Sequence, residues 1–163
     1  MMHTNKMNIT TPSDREVVIT RDFNAPRTLI FDCYTKPELL KRWMTGPDGW
    51  IFVVCEVDLR VGGKLRFVWR RTSSGYDMGM SGVYREISSP EKLVHTELFD
   101  EDWTGGETIT TLILAEQSGK TSMISTTIYS SKEARDGALS TNMEQGMKDS
   151  YDKLERLLSE IHL

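Results

Sequence analysis

The groups in this chain best suited to do chemistry are its histidines, its cysteines and one pair of carboxylates set in an apolar segment. His3 and His162 sit near the two ends of the sequence, which leaves His95, between Val94 and Thr96, as a candidate general base. The alternative for His95 is a partly buried strand histidine satisfied by a hydrogen bond. Glu56 and Asp58 lie two residues apart in an otherwise apolar strand, so both should project to one side, where they could flank a substrate. Their alternative is to face solvent or to meet Arg60, Lys64 or Arg66 across a hairpin. Cys33 and Cys55 stand in apolar surroundings and are expected as buried free thiols, not a disulfide. The sequence contains no CxxC or HExxH spacing, no GxSxG elbow, and no glycine-rich phosphate loop opening a helix. No metal, cofactor or catalytic residue is therefore assigned. With no recognisable partner at fixed spacing, neither His95 nor the Glu56 and Asp58 pair supports a named reaction.

A different chemistry is suggested by the supply of aromatic and thioether side chains. Trp43, Phe67, Trp69, Met78, Met80, Tyr84, Met143, Met147 and Tyr151, with His95, are the candidate lining of a cavity. Methionine suits irregular, adaptable apolar surfaces, and a curved sheet closed on a helix can leave a void between them. A void lined in this way would accept a small apolar or amphipathic molecule. The alternative is that these side chains meet and fill the core. Trp50 and Trp103, beside turns, are candidates for an entrance or a partner-facing surface.

These residues must be held by elements that the pattern makes visible. Leu139, Met143, Met147, Tyr151, Leu154, Leu158 and Ile161 recur at steps of 4, 4, 4, 3, 4 and 3, one face of a long helix. That stripe is Met in its first half and Leu and Ile in its second. Ser130 with Glu133 and Thr141 with Glu144 each match a capping box, with Gly137 between them, so a short helical turn and a long helix are as consistent as one rod. Upstream, a strand at residues 16–23 is followed by two short helices, the first beginning after Pro26 and the second at Pro37. Period-two strands then follow at 50–58, 64–71, 77–87, 92–99, 107–116 and 121–129, joined by short connections that make neighbours antiparallel. Residues 1–13 read as a loose tail and 14–163 as one domain.

Composition narrows the class. The chain of 163 residues is 38% hydrophobic and 27% charged, an ordinary globular balance. A net charge of -4 gives no basic field for a phosphate backbone, so no nucleic-acid partner is expected. No apolar run approaches the ~18 residues of a membrane-spanning helix, and no signal-peptide core is present. The expectation is a cytoplasmic protein without membrane insertion, either monomer or homodimer.

Six segments together carry a resemblance. They are Arg21-Asp22-Phe23-Asn24-Ala25-Pro26, the run from Lys36 to Trp43, the run from Glu56 to Gly63, Gly82-Val83-Tyr84-Arg85-Glu86-Ile87, Pro90-Glu91-Lys92-Leu93-Val94, and Asn142-Met143-Glu144-Gln145-Gly146-Met147. In this order they resemble the START-like helix-grip (SRPBCC) superfamily, in the branch similar to the C-terminal domain of the activator of the heat-shock-protein-ninety ATPase. The resemblance implies an α+β fold in which a curved antiparallel sheet of six or seven strands wraps around a long C-terminal helix, with a cavity between them. Superfamily members bind lipids, sterols, polyketides or plant hormones; some are cyclases, and relatives in this branch act in stress response. The co-chaperones carry an additional N-terminal domain, and this chain is expected to lack it. Relatives also have Trp where this chain has Met44 and Met147, which implies a reshaped or differently filled cavity. The leading expectation is a small hydrophobic ligand in that cavity. The second is a protein partner such as a chaperone, met by the outer face of the sheet and the Trp103 loop. The third is a cyclase- or hydrolase-like enzyme using His95 or the Glu56 and Asp58 pair.

Overall fold

The computed structural model describes residues 6–103 and 105–162; the first five residues of the expected tail lie outside the described residues. The strands are β1 (Asn8–Thr10), β2 (Glu16–Phe23), β3 (Trp50–Val57), β4 (Lys64–Arg71), β5 (Asp77–Ser88), β6 (Lys92–Phe99), β7 (Thr108–Gln117) and β8 (Lys120–Ile128). Two short helices, α1 (Arg27–Thr35) and α2 (Pro37–Trp43), follow β2, and α3 (Lys132–Ser140) and α4 (Met143–Ile161) close the chain. All eight strands form one antiparallel sheet in the order β1-β2-β8-β7-β6-β5-β4-β3. This is the helix-grip arrangement, with one strand more than expected. The addition is β1, which pairs Asn8–Thr10 with β2 inside the segment read as a tail. Three polar-flanked residues carry no usable period, so only a neighbouring strand reveals them.

Strand alternation places the core on the concave face. Val17, Ile19, Arg21 and Phe23 of β2 point inward, as do Leu65 and Phe67 of β4, Met80 and Tyr84 of β5, and Leu112 and Leu114 of β7. Gly82 has a packing role in this curvature: a Cβ there would collide with the carbonyl oxygen of Thr96. On β3 the register shifts between Phe52 and Val54, so Phe52, Cys55 and Val57 pair with the inward Trp69, Phe67 and Leu65. The same shift leaves Glu56 exposed.

The C-terminal segment is two helices. Ser131, not Ser130, caps α3 by accepting a hydrogen bond from the backbone N–H of Ala134, and Gly137 lies inside α3. Asn142, not Thr141, precedes α4 and makes no side-chain cap; the Thr141 hydroxyl instead donates to the Ala138 carbonyl at 2.6 Å. Helix α4 is seated through its second half. Tyr151, Leu154, Leu157 and Leu158 are buried, and Trp43 of α2 stacks on Tyr151 with ring centroids 6.2 Å apart. Each fully buried Leu contributes about 1.5–3 kcal/mol from apolar burial.

A buried charge completes the seat. The Arg21 side chain is 1% exposed, with Nη2 2.9 Å from Oδ1 of Asp152 and 3.5 Å from Oε2 of Glu155, both on α4. For Asp152, burial acts to raise the carboxyl, but Lys148 and Arg21 together hold it below its ordinary value. A carboxyl held lower when folded contributes stability above its unfolded value of about 3.9, and that contribution is lost as the pH falls through the folded value. Wild type is therefore expected to exceed Asp152→Asn in urea stability near pH 7, with the gap narrowing once the pH is taken below the unfolded value of about 3.9. An unchanged gap across urea titrations at both pH values would show that the Arg21 contact contributes no linked proton.

Candidate functional site

The first half of α4 behaves differently. Met143 and Met147 are only half-buried, although they continue the stripe of Tyr151, Leu154 and Leu158. Beneath them lies a cavity of about 330 Å³ between the helix and the concave sheet. Its floor and walls include Phe67 and Trp69 of β4, Met80 and Tyr84 of β5, Trp43 and Met44 at the end of α2, and Phe99 and Trp103 near the rim. The structure thus brings nine of the ten candidate residues together around one space: Trp43, Phe67, Trp69, Met80, Tyr84, His95, Met143, Met147 and Tyr151. Met78 is outside it. It shares the parity of Met80 and pairs with Trp69, yet it is not one of the residues that line the space.

Several lining groups are fixed from behind. The Trp43 indole N–H donates to the Cys33 carbonyl at 2.8 Å, and the Trp69 indole N–H to the Met44 carbonyl at 2.9 Å. Phe52, Phe67 and Trp69 form a ring cluster with centroids 5.1–5.9 Å apart. Aromatic groups locked at their polar ends present rigid apolar faces.

The sheet floor is not apolar throughout. Register sets Tyr84 opposite His95, His95 opposite Thr110, and Thr110 opposite Thr127, a polar row crossing β5, β6, β7 and β8. The Thr110 and Thr127 hydroxyls are 3.2 Å apart. Glu97 follows His95 on the same face and pairs with Thr108. Nε2 of His95 lies 2.9 Å from Oε2 of Glu97, whereas its Nδ1 is buried without a partner among the described residues. The carboxylate accepts, so Nε2 carries the shared hydrogen. Burial pushes the Tyr129 phenol up to about 12, and the Glu97 charge adds to the effect. For Tyr151, burial also dominates and the value is about 12, with hydrogen bonds to Tyr34 and Ser125 acting in the opposite direction. Burial likewise raises Tyr84. These phenols are hydrogen-bond donors at neutral pH.

Glu97 was not among the candidates. In the sequence it is one more charged residue in an alternating strand; its inward facing follows from the odd-numbered set Leu93, His95, Glu97 and Phe99, which a strict parity count would have exposed. The carboxylate pair proposed from the sequence does not reach the cavity. The register shift in β3 turns Glu56 to the outer face, and Asp58 accepts from Nε of Arg60 at 2.9 Å. Burial raises the Cys33 thiol to about 12 and the Cys55 thiol to about 11, so neither is an activated nucleophile. No grouping of three or more metal-ligating side chains occurs among the described residues. No helix among them is long and apolar enough to cross a membrane.

Comparison with known proteins agrees with this architecture. The family model described as activator of Hsp90 ATPase homolog 1-like protein matches residues 24–159. A crystal structure from Rhodobacter sphaeroides is 31% identical with a TM-score of 0.89, covering 95% of this chain and 99% of that one. A protein from Nitrosomonas europaea is 24% identical with a TM-score of 0.81, over 92% and 97%. An HSP90 activator from Plasmodium falciparum is 24% identical with a TM-score of 0.64, over 89% and 96%. The last two likenesses establish the fold alone. No curated protein matches the sequence.

The two halves of α4 should differ in energetic weight. Leu154→Ala, which opens a hole in packed core, is expected to cost about 2–5 kcal/mol in urea unfolding. Met147→Ala, already facing empty space on one side, should cost less than about 1 kcal/mol. Equal costs would mean that the Met half is packed as tightly as the Leu half.

Proposed function

We propose that this chain, which belongs to the family of activator of Hsp90 ATPase homolog 1-like proteins, binds a small amphipathic molecule in the space between α4 and the sheet. The observation that carries the proposal is the cavity of about 330 Å³, within the range of small-molecule sites of about 300–1,000 Å³. Its rigid aromatic walls suit an apolar body, and its roof of two flexible thioethers suits a ligand of irregular shape. The row from Tyr84 to Thr127 supplies hydrogen-bonding groups for a polar end. Both positions where relatives are expected to carry Trp, Met44 and Met147, line this same space. Their smaller, adaptable side chains favour a cavity that is kept open.

A protein partner such as a chaperone is the second reading, and a separate surface favours it. A concavity of about 440 Å³ lies on the outer face of the sheet, lined by Glu56, Lys64, Arg66, Val83, Leu98 and Glu107. Leu98 is 42% and Val83 37% exposed there. Leu98→Glu should abolish partner capture on this reading and leave ligand binding untouched.

The cavity reading is tested by native mass spectrometry of gently purified protein, followed by displacement of a fluorescent hydrophobic probe. Met147→Trp is expected to fill the roof and weaken probe binding at least about tenfold while keeping the thermal midpoint. Unaltered probe affinity in that variant would place the probe elsewhere and remove the support for a cavity ligand.

A further inference from the structure

This inference rests on the cavity reading and deepens it by specifying the charge of the ligand's polar end. We infer that the cavity selects an amphipathic molecule with a cationic head, an amine on an apolar body, over a fatty acid or other anionic amphiphile. Glu97 is the single carboxylate among the described lining residues, and none of them is Lys or Arg. Its side chain is 27% exposed, whereas that of His95 is 14% exposed. His95 holds one carboxylate oxygen through Nε2 at 2.9 Å, which fixes the group's orientation. The other oxygen has no hydrogen-bond donor among the described residues, and Glu97 faces the cavity.

The surroundings reinforce the sign. Phe99 is the next inward residue on β6 after Glu97, and its ring centroid is 4.9 Å from that of Trp103. Aromatic faces beside a carboxylate attract a cation through the ring quadrupole. An ammonium head there would form a charge-assisted hydrogen bond to Glu97, about twice as strong as a neutral one. An anionic head would meet Glu97 with no lining cation to offset it. Nor does His95 offer a second site to an anion, because its Nδ1 is sealed from solvent. A neutral hydroxyl falls between these cases.

The test is competition of decylamine, decanol and decanoate against a fluorescent hydrophobic probe, with wild type, Glu97→Gln and Glu97→Asp, each checked for an unchanged thermal midpoint. Decylamine should bind wild type at least about tenfold more tightly than decanol, with decanoate weakest. Glu97→Gln should bring decylamine to the level of decanol and leave decanol unchanged, and Glu97→Asp should restore part of the preference. Decanoate binding as tightly as decylamine, or an amine preference that survives Glu97→Gln, overturns the inference while the cavity reading stands. If none of the three displaces the probe, both fall.

Discussion

The structure depends on one buried charge contact between the first long strand and the last helix. Arg21 projects from the concave face of β2, where 2% of the residue reaches solvent, and its guanidinium is offset by Asp152 and Glu155 of α4. An uncompensated guanidinium inside a core is costly, so the helix must arrive with its acidic residues over β2 and its leucines turned inward. Rotation and translation of α4 are thereby fixed together. With Lys153 donating to Thr45 and Gly46, and Arg42 meeting Glu160, the second half of the helix is bound on several sides.

A single helix of 19 residues so anchored cannot also press its first half onto the far strands. What lies there explains why the gap is not closed by collapse. His95, Thr110, Thr127, Glu97 and Thr108 offer hydrogen-bonding groups that two methionines could not satisfy. Bringing Met143 and Met147 down onto them would take the part-exposed Glu97 carboxylate out of solvent with only His95 to hold it. The polar row and the displaced helix end are thus two aspects of one arrangement, in which neither tolerates the other's contact.

Much of this was legible in the residues themselves. Period-two runs gave the strands from β2 to β8. Six of the seven stripe residues fall in α4 and keep the distinction between its Met and Leu halves, whereas Leu139 belongs to α3, before the break at Thr141 and Asn142. That distinction reappears as half-buried Met143 and Met147 against buried Leu154 and Leu158. What escaped depends on contacts distant in sequence. Arg21 looks like any surface arginine until α4 supplies its carboxylates. β1 is a strand only because Asn8–Thr10 meets β2. Glu56 faces outward opposite Arg66, as the solvent-facing alternative for the carboxylate pair had it, although the register shift that sets its side is invisible in the sequence. Glu97 shares the parity of Leu93 and His95, and it was passed over because parity was not counted on that strand. The polar row spans four strands, so it is written in the register and not in any one segment.

The separation of anchor from roof also bears on how such a protein can change over generations. The residues that secure α4 are distinct from those that cover the cavity, and Met44, Met143 and Met147 belong to the second group. Substitutions there should alter what fits inside while leaving the folded state above its stability threshold. A lineage could then explore new ligands by neutral drift at the roof, with the clamp under steady purifying selection. The same scaffold would diversify in what it holds without having to be reinvented.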